Sequence, residues 1–125
     1  MNLNGNAYSV TADKLLRGAM HPLDMRTLSI KNPKNEITRG ALVKAASDGS
    51  YFIAGDVDDS SSALTGDVIG ILSDTVAKDE SSATISVAVF ISGGFNVHAV
   101  SGLNDYAATE ADILSAQKYG LYIHS

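Results

Sequence analysis

The chain has 125 residues, 45% of them hydrophobic, a net charge of −5 and no cysteine. This composition suits one compact domain with a packed core, and it excludes wholesale disorder, disulfide frameworks, thiolate chemistry and cysteine zinc sites. No apolar run approaches the ~18 residues of a membrane-spanning helix, and an acidic chain lacks the concentrated Lys and Arg on which nucleic-acid affinity rests, so neither a membrane nor a nucleic acid is an expected partner.

In chain order, residues 1–36 read as an extended N-terminal arm. The opening Met1-Asn2-Leu3-Asn4-Gly5 has neither a basic nor an apolar region of the kind a secretion signal needs, and no such signal is expected. Asn2, Asn4, Gly5 and Asn6 are turn formers. Thr11 is placed to cap a short helical turn through Leu15 and Leu16 that stops at Gly18. His21-Pro22 then imposes an extended or turning path, and strand character begins only at Thr27–Lys31. Residues 1–44 carry seven Lys and Arg against three acids, a net of +4, whereas residues 45–125 carry two against eleven, a net of −9. Two readings stand: an ordinary solvated surface, or a basic arm that docks on an acidic surface of a neighbouring copy or another protein. On the second reading Leu3, Tyr8, Val10, Leu15 and Leu16 are the apolar contact residues, with Lys14 and Arg17 supplying register and steering.

Residues 37–125 read as a β-rich body. Ala41–Ala45 and Ser50–Ala54 form a hairpin around the turn Ser47-Asp48-Gly49. Residues 55–66 are a polar loop. Val68–Leu72 is a buried strand in which Gly70 marks a bulge or a close backbone approach. In Thr84–Ser92 the residues Ile85, Val87, Val89 and Ile91 alternate with Ser86, Ala88, Phe90 and Ser92, the period of a strand. Gly93-Gly94 is expected as a structural two-residue turn, returning the chain along Phe95–Val100. Thr109 is a helix N-cap, Glu110 and Asp112 suit the positive helix pole, Gly120 suits the stop, and Leu121–His124 closes the chain as a strand.

Chemistry-bearing patterns are weak. His21, His98 and His124 lack metal-ligand spacing. Asp56, Asp58 and Asp59 lack the glycine and distal Glu of a calcium loop, and read as a solvated acidic loop. Gly93-Gly94 is followed by neither Lys-Ser/Thr nor a helix, so a phosphate cradle is not expected. No catalytic, cofactor-binding or metal-binding residue is therefore predicted, and no cofactor.

From Gly66 to Ala99 the pattern becomes more specific. Gly66-Asp67-Val68-Ile69-Gly70-Ile71-Leu72, a polar spacer, the strand Ile85–Ser92 and then Gly93-Gly94-Phe95-Asn96-Val97 together resemble the head decoration proteins of lambda-like bacteriophages and related prophages. Upstream, Gly40–Lys44 with Asp48–Tyr51 resembles the opening hairpin of that family; downstream, Thr109–Lys118 with Tyr119–Ile123 resembles its closing helix and strand. The resemblance spans about residues 37–125 and does not extend to residues 1–36. It implies a mainly β, β-clip or β-tulip-like single domain with one short C-terminal helix and an extended N-terminal arm. It also implies a homotrimer on the outer surface of an expanded icosahedral head, made in the bacterial cytoplasm and bound to the major capsid protein of a tailed phage. There the protein would brace the shell against packaged DNA without enzymatic activity. The rival readings are another phage structural protein, from tail, baseplate or fibre, and a small β-clip enzyme of the dUTPase type. The latter needs a nucleotide-binding motif with a water-activating Asp, which the sequence does not offer.

Overall fold

The computed structural model describes Leu15 and residues 23–124. Six strands and one helix follow in the order β1 (Asp24–Lys31), β2 (Leu42–Ala45), β3 (Tyr51–Ile53), β4 (Asp67–Leu72), β5 (Thr84–Asn96), α1 (Glu110–Lys118) and β6 (Leu121–His124), with a 3₁₀ turn at Val97–Ala99 after β5. The sheet order is β1-β3-β2-β4-β5-β6, and β1 pairs again with β5, so the first five strands close into a barrel. The protein is mainly β, a closed five-stranded barrel with one short helix.

The two faces of β5 explain the architecture. Val87 and Val89 join Ile30, Val43, Ile53 and Leu72 in a core drawn from all five barrel strands, with Leu28, Tyr51, Ile69, Ile85 and Ile91 packed at its margins. Phe90 and Phe95 point to the opposite side, where Leu42, Val68, Ile71, Ala116, Leu121 and Ile123 form a second core under α1 and β6. The Phe90 and Phe95 rings lie 5.6 Å apart at 48°, and Phe95 is fully buried, a burial that contributes about 1.5–3 kcal/mol. A barrel strand with apolar residues on both sides must find cover outside as well as inside, and the helix supplies it.

Gly70 shows how β4 serves both cores. Its neighbours on β2 are Val43↔Gly70 and Lys44↔Val68, so Ile69 is an extra residue and the register shifts there. The bulge turns Val68 and Ile71 to the helix side and Ile69 and Leu72 to the barrel. A Cβ at Gly70 would lie 2.2 Å from Val89 Cγ1, so the close approach expected of this glycine is real.

The hairpin of β2 and β3 pairs Val43↔Ile53, Lys44↔Phe52 and Ala45↔Tyr51. Its turn has Gly49 at φ 89°, and the Asp48 carboxylate accepts from Ser50 N at 3.0 Å.

Two expectations are corrected. The expected arm extends to residue 36, yet β1 lies within the barrel, paired with β5 from Asp24↔Ser92 to Lys31↔Thr84. Its alternation is faint in sequence because only Ile30 is buried, with Leu28 and Lys31 half-buried. Gly93-Gly94 is not a turn: β5 runs straight through it. The pair marks a change of partners, from β1 and β4 to β6, with Gly93↔Leu121 and Gly94↔Tyr122 in parallel register. Gly93 has φ 138°, and a Cβ there would meet Leu23 Cδ2 at 2.5 Å and the Phe95 ring at 3.2 Å. Glycine is needed for close packing and an unusual backbone angle, not for chain reversal.

Candidate functional site

Ion-pair chemistry gathers where the start of α1 meets β2. Thr109 and Asp112 form a reciprocal cap: Asp112 N donates to Thr109 Oγ1 at 3.1 Å and Thr109 N donates to Asp112 Oδ2 at 3.0 Å. One turn on, Ser115 Oγ accepts from Val68 N at 3.1 Å and donates to Asp112 O at 3.0 Å, tying the helix to β4. Lys44 reaches this cap from β2. Its ammonium donates to Asp112 Oδ1 and to Tyr106 Oη, each at 3.0 Å, and the Tyr106 hydroxyl donates to Asp112 Oδ2.

Burial alone would pull Lys44 down, but its hydrogen bonds to Tyr106 and Asp112 and the Asp112 charge outweigh it and hold its pKa above the ordinary lysine value. Burial would raise Asp112, but the Thr109 N–H, the Tyr106 hydroxyl and Lys44 hold its carboxyl below the usual range. Burial and the hydrogen bond to Asp112 push the Tyr106 phenol up, against the opposing pull of Lys44. The phenolic proton is thus given to a carboxylate already accepting from two other donors. This geometry fastens a helix to a strand.

A second pair lies at the narrowest seam of the barrel. β1 and β3 run parallel and share one bridged pair, Ile30↔Tyr51. Beside it Lys31 Nζ meets Asp56 Oδ2 at 3.0 Å, and Asp56 Oδ1 accepts from Val57 N at 2.8 Å. Asp56 is buried, which corrects its reading as part of a solvated loop: the carboxylate anchors the loop to β1. Asp58 is exposed and accepts from Ser60 N and Ser62 N at 2.8 and 2.9 Å, shaping the same loop.

Among the described residues, one end of the barrel is open. Leu28, Tyr51, Ile69 and Ile91, one from each of four strands, line a concave cup of about 420 Å³, rimmed by Arg26 and Tyr119. Tyr119 Oη lies 3.3 Å from Asp67 Oδ2, to which it donates. Among the described residues, the cup is apolar at its floor and carries one cation at its edge, an arrangement suited to an apolar group with an acidic neighbour.

Of the contact residues expected in the arm, Leu3, Tyr8, Val10, Lys14, Leu16 and Arg17 lie outside the described residues. Leu15 is 4% exposed and belongs to the core under α1, and its carbonyl accepts from Asn96 N at 2.8 Å. Leu15 thus packs into its own body, where a contact with the capsid or a neighbouring subunit was expected. His21 is outside the described residues, and His98 and His124 are exposed on separate elements. Among the described residues no three His, Asp or Glu side chains converge as metal ligands, and no helix is long and apolar enough to cross a membrane.

Sequence reasoning missed both Lys44–Tyr106–Asp112 and the cup. The one local signal for the first is a lysine inside the apolar run Leu42-Val43-Lys44-Ala45, where a cation must find a partner. The cup had none, since its residues come from five separate elements. The sequence matches no protein-family model, and no curated protein matches it.

Proposed function

We propose that this protein is a capsid decoration protein of a tailed bacteriophage, which binds the outside of the expanded head as a homotrimer and stabilises it against packaged DNA. The observation that carries the reading is the order of elements. The hairpin β2–β3, the glycine-bearing strand β4, the long strand β5, the capped helix α1 and the closing strand β6 follow one another as the resemblance to lambda-like head decoration proteins places them. The departure is at Gly93-Gly94, where that resemblance expects a turn and β5 continues.

A further support is the use made of the polar groups. Lys44, Tyr106 and Asp112 bond to one another, as do Lys31 and Asp56, while the open barrel end offers an apolar surface. Such a molecule is equipped for association more than for turnover. A β-clip or tulip-like classification, and an N-terminal arm that reaches the major capsid protein, belong to the same proposal. Multiple weak contacts from the copies of a trimer would add by avidity.

The test is co-sedimentation of the full-length protein with purified heads of the phage that encodes it. Saturable binding to expanded heads, with little binding to unexpanded shells, is expected. Absence of binding to expanded heads would contradict the proposal.

A further inference from the structure

We infer that the open barrel end is the seat of α1 from a second copy of this chain, with Leu114 entering the apolar cup and Glu110 meeting Arg26. The inference rests on the reading of the protein as a self-associating decoration protein and names the surfaces that join its copies.

The first observation is the free face of α1. Asp112, Ser115 and Ala116 are buried against the body, and Glu110, Ala111, Leu114, Gln117 and Lys118 are exposed. At 100° per residue the exposed set is centred on Leu114, which at 56% is the most exposed large apolar side chain among the described residues. A surface helix ordinarily places a charged or polar residue at the centre of its outward face. Here the centre is a leucine, with an acid one turn before it.

The second observation is the cup. Leu28, Tyr51, Ile69 and Ile91 are only partly buried, and they surround a concavity of about 420 Å³. Among the described residues, the charged one in its lining is Arg26. Among the described residues neither Arg26 nor Glu110 forms an ion pair, whereas the cations Lys31 and Lys44 do. The molecule thus presents an apolar knob with an unpaired anion one turn away, and an apolar hole with an unpaired cation on its rim. An apolar contact with a charge pair at its edge supplies both affinity and register.

Knob and hole are different surfaces, so the contact is heterologous, and repetition of a heterologous contact closes into a ring or runs on as a filament. Tyr119 on the rim follows α1 directly in the chain, so the two surfaces adjoin, and a contact repeated between adjoining surfaces suits a ring of few copies.

The experiment is a charge exchange in the full-length protein, read by analytical ultracentrifugation. Arg26→Glu and Glu110→Arg each place like charges together and should weaken self-association at least about tenfold, or ~1.4 kcal/mol. The double variant, with the pair reversed, should recover most of the loss. Leu114→Asp should abolish association while leaving the thermal midpoint nearly unchanged, because the side chain is exposed in the single copy. A double variant no better than the singles, or a wild-type chain that is monomeric at millimolar concentration, overturns the inference. Single variants that associate normally but no longer bind heads overturn it too, assigning the cup to the capsid protein. Recovery in the double variant together with a wild-type chain that ignores expanded heads would leave this contact standing and remove the decoration reading instead.

Discussion

The two faces of β2 and β4 meet opposite fates. On the helix side, Lys44, Tyr106, Asp112, Thr109 and Ser115 spend their donors and acceptors on one another over a sealed core. At the barrel mouth, Leu28, Tyr51, Ile69 and Ile91 stay partly uncovered beside Arg26. The difference separates what holds the fold from what is left for a partner. A buried charge must be fully partnered or it destabilises, whereas apolar surface left at an opening costs little in one copy and gains on association.

Removing a partner on the sealed side should have the largest effect. Asp112→Ala strands the Lys44 ammonium and deletes half of the helix cap, and a loss of about 3–5 kcal/mol is expected in urea unfolding. Arg26→Ala at the mouth should change the same measurement by less than about 0.5 kcal/mol. Equal losses at the two sites would erase the contrast.

Gly70→Ala comes next. The added methyl meets Val89 Cγ1 at 2.2 Å inside the barrel, and overpacking of this kind costs about 1–3 kcal/mol. An unchanged unfolding midpoint would mean that Val89 yields without strain. Thr109→Ala removes the acceptor for Asp112 N and should cost about 1 kcal/mol, readable as a lower thermal midpoint.

The same cluster sets a pH dependence. The folded Asp112 pKa lies below its ordinary value of 3.8, so the unfolded chain binds the proton more readily. Its contribution is present above that value and is lost as pH falls through the folded one. Lys44 and Tyr106 are raised above their ordinary values of 10.5 and 10.0. Their contribution is therefore complete at lower pH and fades as pH rises past those values. Asp112→Asn should flatten the acid limb of a stability–pH curve relative to wild type. An unchanged acid limb would place the acid sensitivity elsewhere.

Much of this was legible in the sequence where one element carries its own signal. The alternation of Ile85 to Ser92 predicted which residues of β5 face which core, and Val87 and Phe90 do part in that way. Asp48-Gly49 marked the hairpin turn and Thr109 the helix cap, because the chemistry of each is local. What stayed hidden depends on distant residues. β1 has a single fully buried side chain, so its pattern is set by β5 rather than by itself. Gly93-Gly94 has the composition of a turn, and only β6 and the Leu23 and Phe95 side chains explain why it is a strand. Asp112 was legible as an acid at a helix start, but its partner Lys44 is 68 positions away, and no spacing rule connects them.

The most direct test of the proposed function is an electron cryomicroscopy map of tailed-phage particles assembled with this protein. The account predicts three copies of the barrel at each local three-fold position on the outer surface of the head. A map with the chain in the tail or baseplate, or with bare three-fold positions, would contradict it.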